Sequence, residues 1–225
     1  MTPFIKLSSS FLAGILLLSA MTSNIALCDE LDQARGYFDY YDQDPSAHRL
    51  LGLVEQYHLN QGITGMNKGS LNYARGDFEF ILNRFPNHPR VLLLIGDLFI
   101  KMKAPTRAEP YFQRAIELYP NTAPTYAAYG IFLQKTGQLG RAIDSYKTSL
   151  ELDPGSPSVH YNLGLAYFEK KQFDLANMHA QEAYMQGFQL PGLRDKLRKA
   201  GAWKPLEQST AASETAQREA DLHMK

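Results

Sequence analysis

Residues 123–156, APTYAAYGIFLQKTGQLGRAIDSYKTSLELDPGS, decide the fold. Apolar positions recur at helical spacing in two bursts, Tyr126, Tyr129, Leu133 and then Ile143, Tyr146, Leu150, with a break at 135–138 that contains Gly137. That is the pattern of two amphipathic helices joined by a tight turn. Moving the window by 34 residues in either direction restores it. Gly96, Gly130 and Gly164 keep this interval, as do Ala74, Ala108, Ala142 and Ala176, and Pro86, Pro120 and Pro154. A fixed period of this length predicts stacked repeats. The small residues explain the stacking: antiparallel helices approach closely only where side chains are short, so Gly130 is expected to meet Ala142. Ser149, matched by Ala115 and Ala183, is expected to meet the next unit. Pro154 cannot continue the second helix and forces a turn. A lone helical pair cannot cover its own apolar faces, so neighbours must stack.

The residues Tyr126, Tyr129-Gly130, Leu133, Ala142, Tyr146 and Pro154 resemble the tetratricopeptide repeat, with Leu133 standing where an aromatic is usual. The resemblance is good over 89–190 and poor over 55–88. It implies an all-α, right-handed solenoid of helix-turn-helix units at 89–122, 123–156 and 157–190. A degenerate unit is expected at 55–88, and a capping helix at 191–206. Gly62, Gly65 and Gly69 predict that the first helix of the degenerate unit is short, near 61–68, because each glycine costs about 1 kcal/mol in a helix interior. In the unit 89–122, Thr106 and Glu109 match a capping box. In the terminal helix, Leu193 and Leu197 are expected inside, with Arg194, Asp195, Lys196, Arg198 and Lys199 in water and Trp203 against the cap. Residues 207–225 are polar and expected to be disordered.

The chain has 225 residues, 23 basic and 23 acidic, so no charge excess points to nucleic acid. At its start, Lys6 precedes the apolar run Phe11–Ala20, and small and polar residues lead to Cys28, Asp29 and Glu30. An apolar core of about ten residues is too short to span a bilayer. The pattern predicts a secretory signal over 1–28, and hence an exported, periplasmic protein. Ile25-Ala26-Leu27-Cys28 also resembles a lipoprotein box, except at Leu27. That leaves open a membrane-anchored lipoprotein tethered through Cys28. With a single cysteine there is no internal disulfide. Residues 29–54 read as a linker rich in aromatics and acids, with Asp44-Pro45 as a turn and a short amphipathic helix possible from Ala47.

No H-E-x-x-H, G-x-S-x-G, P-loop or G-x-G-x-x-G is present, and no cofactor, metal or catalytic residue is predicted. His160 and His179 fall on facing helices and are expected to be packing histidines rather than a metal pair. In tetratricopeptide arrays the first helix of each unit lines a concave groove. Carried over by position, the resemblance implies a groove built from Arg90, Leu93, Asp97, Ile100 and Lys101, then Ala127, Ile131, Gln134 and Lys135, then Tyr161, Leu165 and Phe168. The Lys/Asn carboxylate clamp of some family members is absent, since those positions hold Leu93/Asp97, Ala127/Ile131 and Tyr161/Leu165. Leu93, Ile131, Tyr161, Leu165 and Phe168 leave an apolar floor. Such a floor suits a partner helix or extended peptide, or else the chain's own aromatic amino-terminal segment. The function expected is a non-catalytic scaffold or adaptor in the bacterial envelope. The alternative is a lipid-anchored factor that pilots an envelope or secretion complex.

Overall fold

The computed structural model describes residues 36–205; the signal-like segment, Cys28 and the tail expected to be disordered lie outside them. Every regular element among the described residues is helical. In chain order these are α1 (Pro45–Val54), a π-turn (Glu55–Leu59), α2 (Asn60–Asn67), α3 (Leu71–Arg84) and α4 (Pro89–Lys101). A 3₁₀ turn (Pro105–Ala108) leads into α5 (Glu109–Leu118), and then come α6 (Ala123–Lys135), α7 (Leu139–Leu152), α8 (Pro157–Glu169), α9 (Phe173–Met185) and α10 (Gly192–Lys199). The first helices α4, α6 and α8 each have proline in their opening turn, where a missing N–H costs nothing. They pack in sequence, with their second helices behind them, as an α-solenoid.

Each first helix ends in the same way. The backbone N–H of Ser70, Ala104, Gln138 and Gln172 donates to the carbonyl five residues back, on Gly65, Phe99, Leu133 and Tyr167, at 2.8–2.9 Å. This closure needs a residue in the left-handed region. Gly69 (φ 80°) and Gly137 (φ 78°) supply it in two units, but Lys103 (φ 56°) and Lys171 (φ 60°) do so in the other two. For a residue with a Cβ that backbone costs roughly 1–2 kcal/mol.

The repeat glycines are buried, and the atoms nearest to them belong mostly to large side chains. A Cβ on Gly130 would lie 2.5 Å from the Tyr146 ring, one turn beyond Ala142. Gly96 faces Phe112 and Phe132, and Gly164 meets its repeat alanine, with Ala176 O at 3.2 Å, and Leu193, with Cδ2 at 2.6 Å. Each hollow therefore seats a ring or a leucine. Ser149 is buried, and its hydroxyl donates to the Ala123 carbonyl at the start of its own unit, at 2.9 Å.

The helix expected from Ala47 is present and starts at Pro45: α1, the π-turn and α2 run from 45 to 67 without a break, so the second half of the segment 29–54 is helix rather than linker. The first helix of the degenerate unit, α2, is short as expected, and its glycines are contact points. A Cβ on Gly62 would stand 2.5 Å from Phe78, and one on Gly65 would stand 3.3 Å from Tyr73. Burial against α3 outweighs the propensity cost. Thr106 and Glu109 form no capping box: the segment winds as a 3₁₀ turn and α5 starts without a side-chain cap. Glu109 is instead engaged with Tyr129 and Arg141 of the following unit. In α10, Leu193 and Leu197 are fully buried as expected, but Arg194 is half-buried, with its guanidinium over the Tyr184 ring at 5.5 Å. Trp203 packs edge-on against Tyr184 at 6.0 Å.

Candidate functional site: the face of the first helices

The first helices α4, α6 and α8 lie side by side, which brings the residues assigned to the groove onto one face. Leu93, Asp97, Ile100, Ala127, Ile131, Gln134, Leu165 and Phe168 are half-buried, while Arg90 and Lys101 are exposed. The apolar members rest on the core without being covered by it. Two polar bridges cross from unit to unit. Lys135 Nζ meets Asp97 Oδ1 at 2.6 Å, and the Gln134 amide donates to Glu169 Oε1 at 2.7 Å. The Gln134 carbonyl accepts from the Tyr146 hydroxyl at 3.0 Å, so both ends of this side chain are used internally.

The third unit is less open than expected. Tyr161 is buried, its ring lying 4.5 Å from Phe188 and its hydroxyl beneath Gly192. Lys196 of α10 lies over the Phe168 ring at 5.7 Å. Phe188 stands where earlier units carry proline, so the chain after α9 folds back onto Tyr161. The open floor is therefore Leu93, Ile100, Ala127, Ile131 and Leu165.

The amino-terminal aromatic segment does not fill this face. Phe38 donates from its backbone to Arg84 O at 2.6 Å and packs on Phe85, while Tyr37 meets Tyr119 edge-on at 6.5 Å. Tyr40 lies over His88, and the Asn87 side chain joins the Tyr40 backbone to Asp39. All these partners sit at the junctions between units, on the edge where second helices end.

His160 and His179 do come together, with Nδ1 atoms 3.1 Å apart and ring centroids 5.3 Å apart. The nitrogens thus lie between the rings and face one another. The two nitrogens are within hydrogen-bond distance and share one proton. His160 Nε2 donates to Pro154 O at 3.2 Å, which leaves its Nδ1 to accept from His179. Burial, with His160 and Lys147 nearby, pushes the His179 imidazole down to about 4. Among the described residues no group of three His, Cys, Asp or Glu gathers to hold a metal ion.

Two polar clusters escaped the sequence reading. Glu109 accepts from the Tyr129 hydroxyl at 2.7 Å and from Arg141, whose bond comes first in holding this carboxyl below its usual range. Burial and the Glu109 contact push the Tyr129 hydroxyl up to about 12. His58 and Asp77 pair at 2.8 Å, with Phe80 stacked on the imidazole at 4.1 Å. Among the described residues no hydroxyl or thiol bonds the other imidazole nitrogen, so this pair positions a ring without a nucleophile. A T-x-x-E pattern concealed the first cluster, and the second joins a helix to its neighbour across 19 residues, with no local pattern.

Family models for the tetratricopeptide repeat match residues 89–122, 111–144 and 131–171. Tetratricopeptide repeats therefore occupy 89–171. The chain is 25% identical over 144 residues to the protein CTR9 homolog of Arabidopsis thaliana, covering 62% of this chain and 13% of that protein. It spans under a third of the length of the curated relatives it matches. Among solved structures, the APC/C hetero-tetramer Cut9–Hcn1 superposes with a TM-score of 0.50 at 25% identity, over 64% of this chain and 29% of that chain. PilF of Pseudomonas aeruginosa gives 0.53 at 18% identity, over 67% and 70%. These likenesses support the solenoid, and repeats of this class mediate protein–protein contacts.

Proposed function

We propose that this chain is a non-catalytic adaptor that holds a short segment of a partner protein on the face of its first helices. The carrying observation is the row of half-buried apolar side chains Leu93, Ile100, Ala127, Ile131 and Leu165, seated on the core and rimmed by Arg90, Asp97 and Lys101. Apolar floor with a charged rim is the arrangement of a peptide-binding surface. A photo-crosslinker placed at Leu93 in cells should trap a defined partner, whereas one at Gly52, outside this face, should not. Ile131→Asp should abolish the adduct, and Ala127→Arg, at a half-buried position that need not unsettle the core, should do the same with an unchanged melting temperature. Equal adducts from both crosslinker positions, or persistence in both variants, would remove this face from consideration.

The finer reading places the adaptor in the bacterial envelope, exported on residues 1–28. Its support is the sequence pattern alone. Intact mass of the mature protein tests it: a start at Asp29 fits a periplasmic form, a diacylated Cys28 fits a membrane-anchored pilot, and a full-length chain opposes both.

A further inference from the structure

We propose that the edge formed by the turns inside each helical pair is a docking surface for an anionic lipid membrane, adjoining the partner face at Lys101. The balanced charge of the chain hides a split between its two edges. The turns at 68–71, 101–107, 135–141 and 169–173 hold eight lysines and arginines against one carboxylate, Glu169. The junctions between units present Asp39, Asp42, Glu117, Glu151 and Asp153 on the opposite edge, against Arg84 and Arg90. The Asp97–Lys135 and Gln134–Glu169 bridges show that successive turns are stacked in one line. Lys135 and Arg141 are engaged, but Lys68, Lys101, Lys103, Lys170 and Lys171 are exposed and meet no carboxylate among the described residues.

The backbone supplies the second observation. Positions 69, 103, 137 and 171 are structurally equivalent and all left-handed, yet two carry lysine where glycine would be free of strain. Strain retained at an exposed site points to a use for the side chain. Here the same cation is retained in alternate units at the same register. The ammonium groups follow a line of four turns, about 30 Å at ordinary helix spacing, instead of converging on one pocket. Exposed residues between them, Asn67, Ser70, Thr106 and Gln172, are polar, so the edge offers little apolar anchorage of the kind that peptides use. A plane of lipid phosphates meets all these cations at once and needs no matching sequence.

The test is sedimentation of the full chain with vesicles of phosphatidylcholine alone or with 30% phosphatidylglycerol. Binding to the anionic vesicles should exceed binding to the neutral ones and fall steeply with added salt. Lys103→Gly with Lys171→Gly should weaken anionic binding by about 30-fold, roughly fivefold per lysine, while the melting temperature stays level or rises. Lys68→Gln with Lys170→Gln should weaken it further with no backbone change. Equal binding to both vesicle types, or unchanged binding by both sets of variants, would overturn the proposal. Capture by soluble poly-glutamate without capture by anionic vesicles would also overturn it, in favour of an acidic protein.

Discussion

At the residue scale, glycines of one helix pair have opposite duties. A methyl group at Gly130 would press on the fully buried Tyr146 ring, whose hydroxyl is fixed by Gln134. Gly130→Ala should therefore destabilise by about 1–3 kcal/mol. Gly140 has nothing within 4 Å of a built Cβ and no left-handed backbone, so Gly140→Ala should stabilise by about 0.5–1 kcal/mol. Urea titration of the two variants checks both signs. His179 carries the second residue-level prediction. In the unfolded chain its imidazole titrates near 6.5, in the folded chain at about 4. Between these values the unfolded state binds more protons, so stability falls as pH drops below 6.5, and the loss is complete near 4. For this half-buried ring the loss is on the order of 2 kcal/mol. His88, also pushed down by burial, acts in the same direction. Melting from pH 7 to 4.5 should show the decline, and His179→Phe, which keeps the stack on Tyr167, should flatten it.

At the element scale, neighbouring units are coupled by specific polar contacts as well as by packing. Glu109 on α5 grips Tyr129 on α6 and Arg141 on α7, so one carboxylate joins three helices. Tyr129→Phe should cost about 1 kcal/mol, and Glu109→Ala should cost more because it removes the acceptor of both the Tyr129 hydroxyl and Arg141. Calorimetry of the two variants would rank them. This is also where sequence legibility ends. The period, the prolines and the identity of first and second helices can be read from residues 34 apart, because each unit repeats the same packing problem. The Glu109 cluster could not be read, since a helical T-x-x-E and a distant acceptor look alike until the 3₁₀ turn is seen. The glycines at 62 and 65 were legible as marks of a short helix but not as contact points, for a related reason: propensity is local, and the Phe78 ring that makes use of the gap is not.

At the scale of the whole molecule, the array is asymmetric. The positions that share the face of the first helices were legible in the sequence, but the closure at Tyr161 and Phe168 depends on how the chain after α9 returns, and no repeat encodes that. Phe188→Ala should uncover Tyr161 and lengthen the open floor. Hydrogen exchange along α8 should rise in that variant while α4 and α6 remain as protected as before.

The fold-back at Phe188 and Lys196 also works as a ruler. With Tyr161 and Phe168 of α8 covered and Leu165 open, the accessible track crosses two inter-helix steps from α4, about 20 Å in all. That is the reach of about six extended residues. On the adaptor reading proposed above, a ligand on this track would be a short linear word in a partner's sequence, and a longer partner would have to leave the cradle on the α4 side.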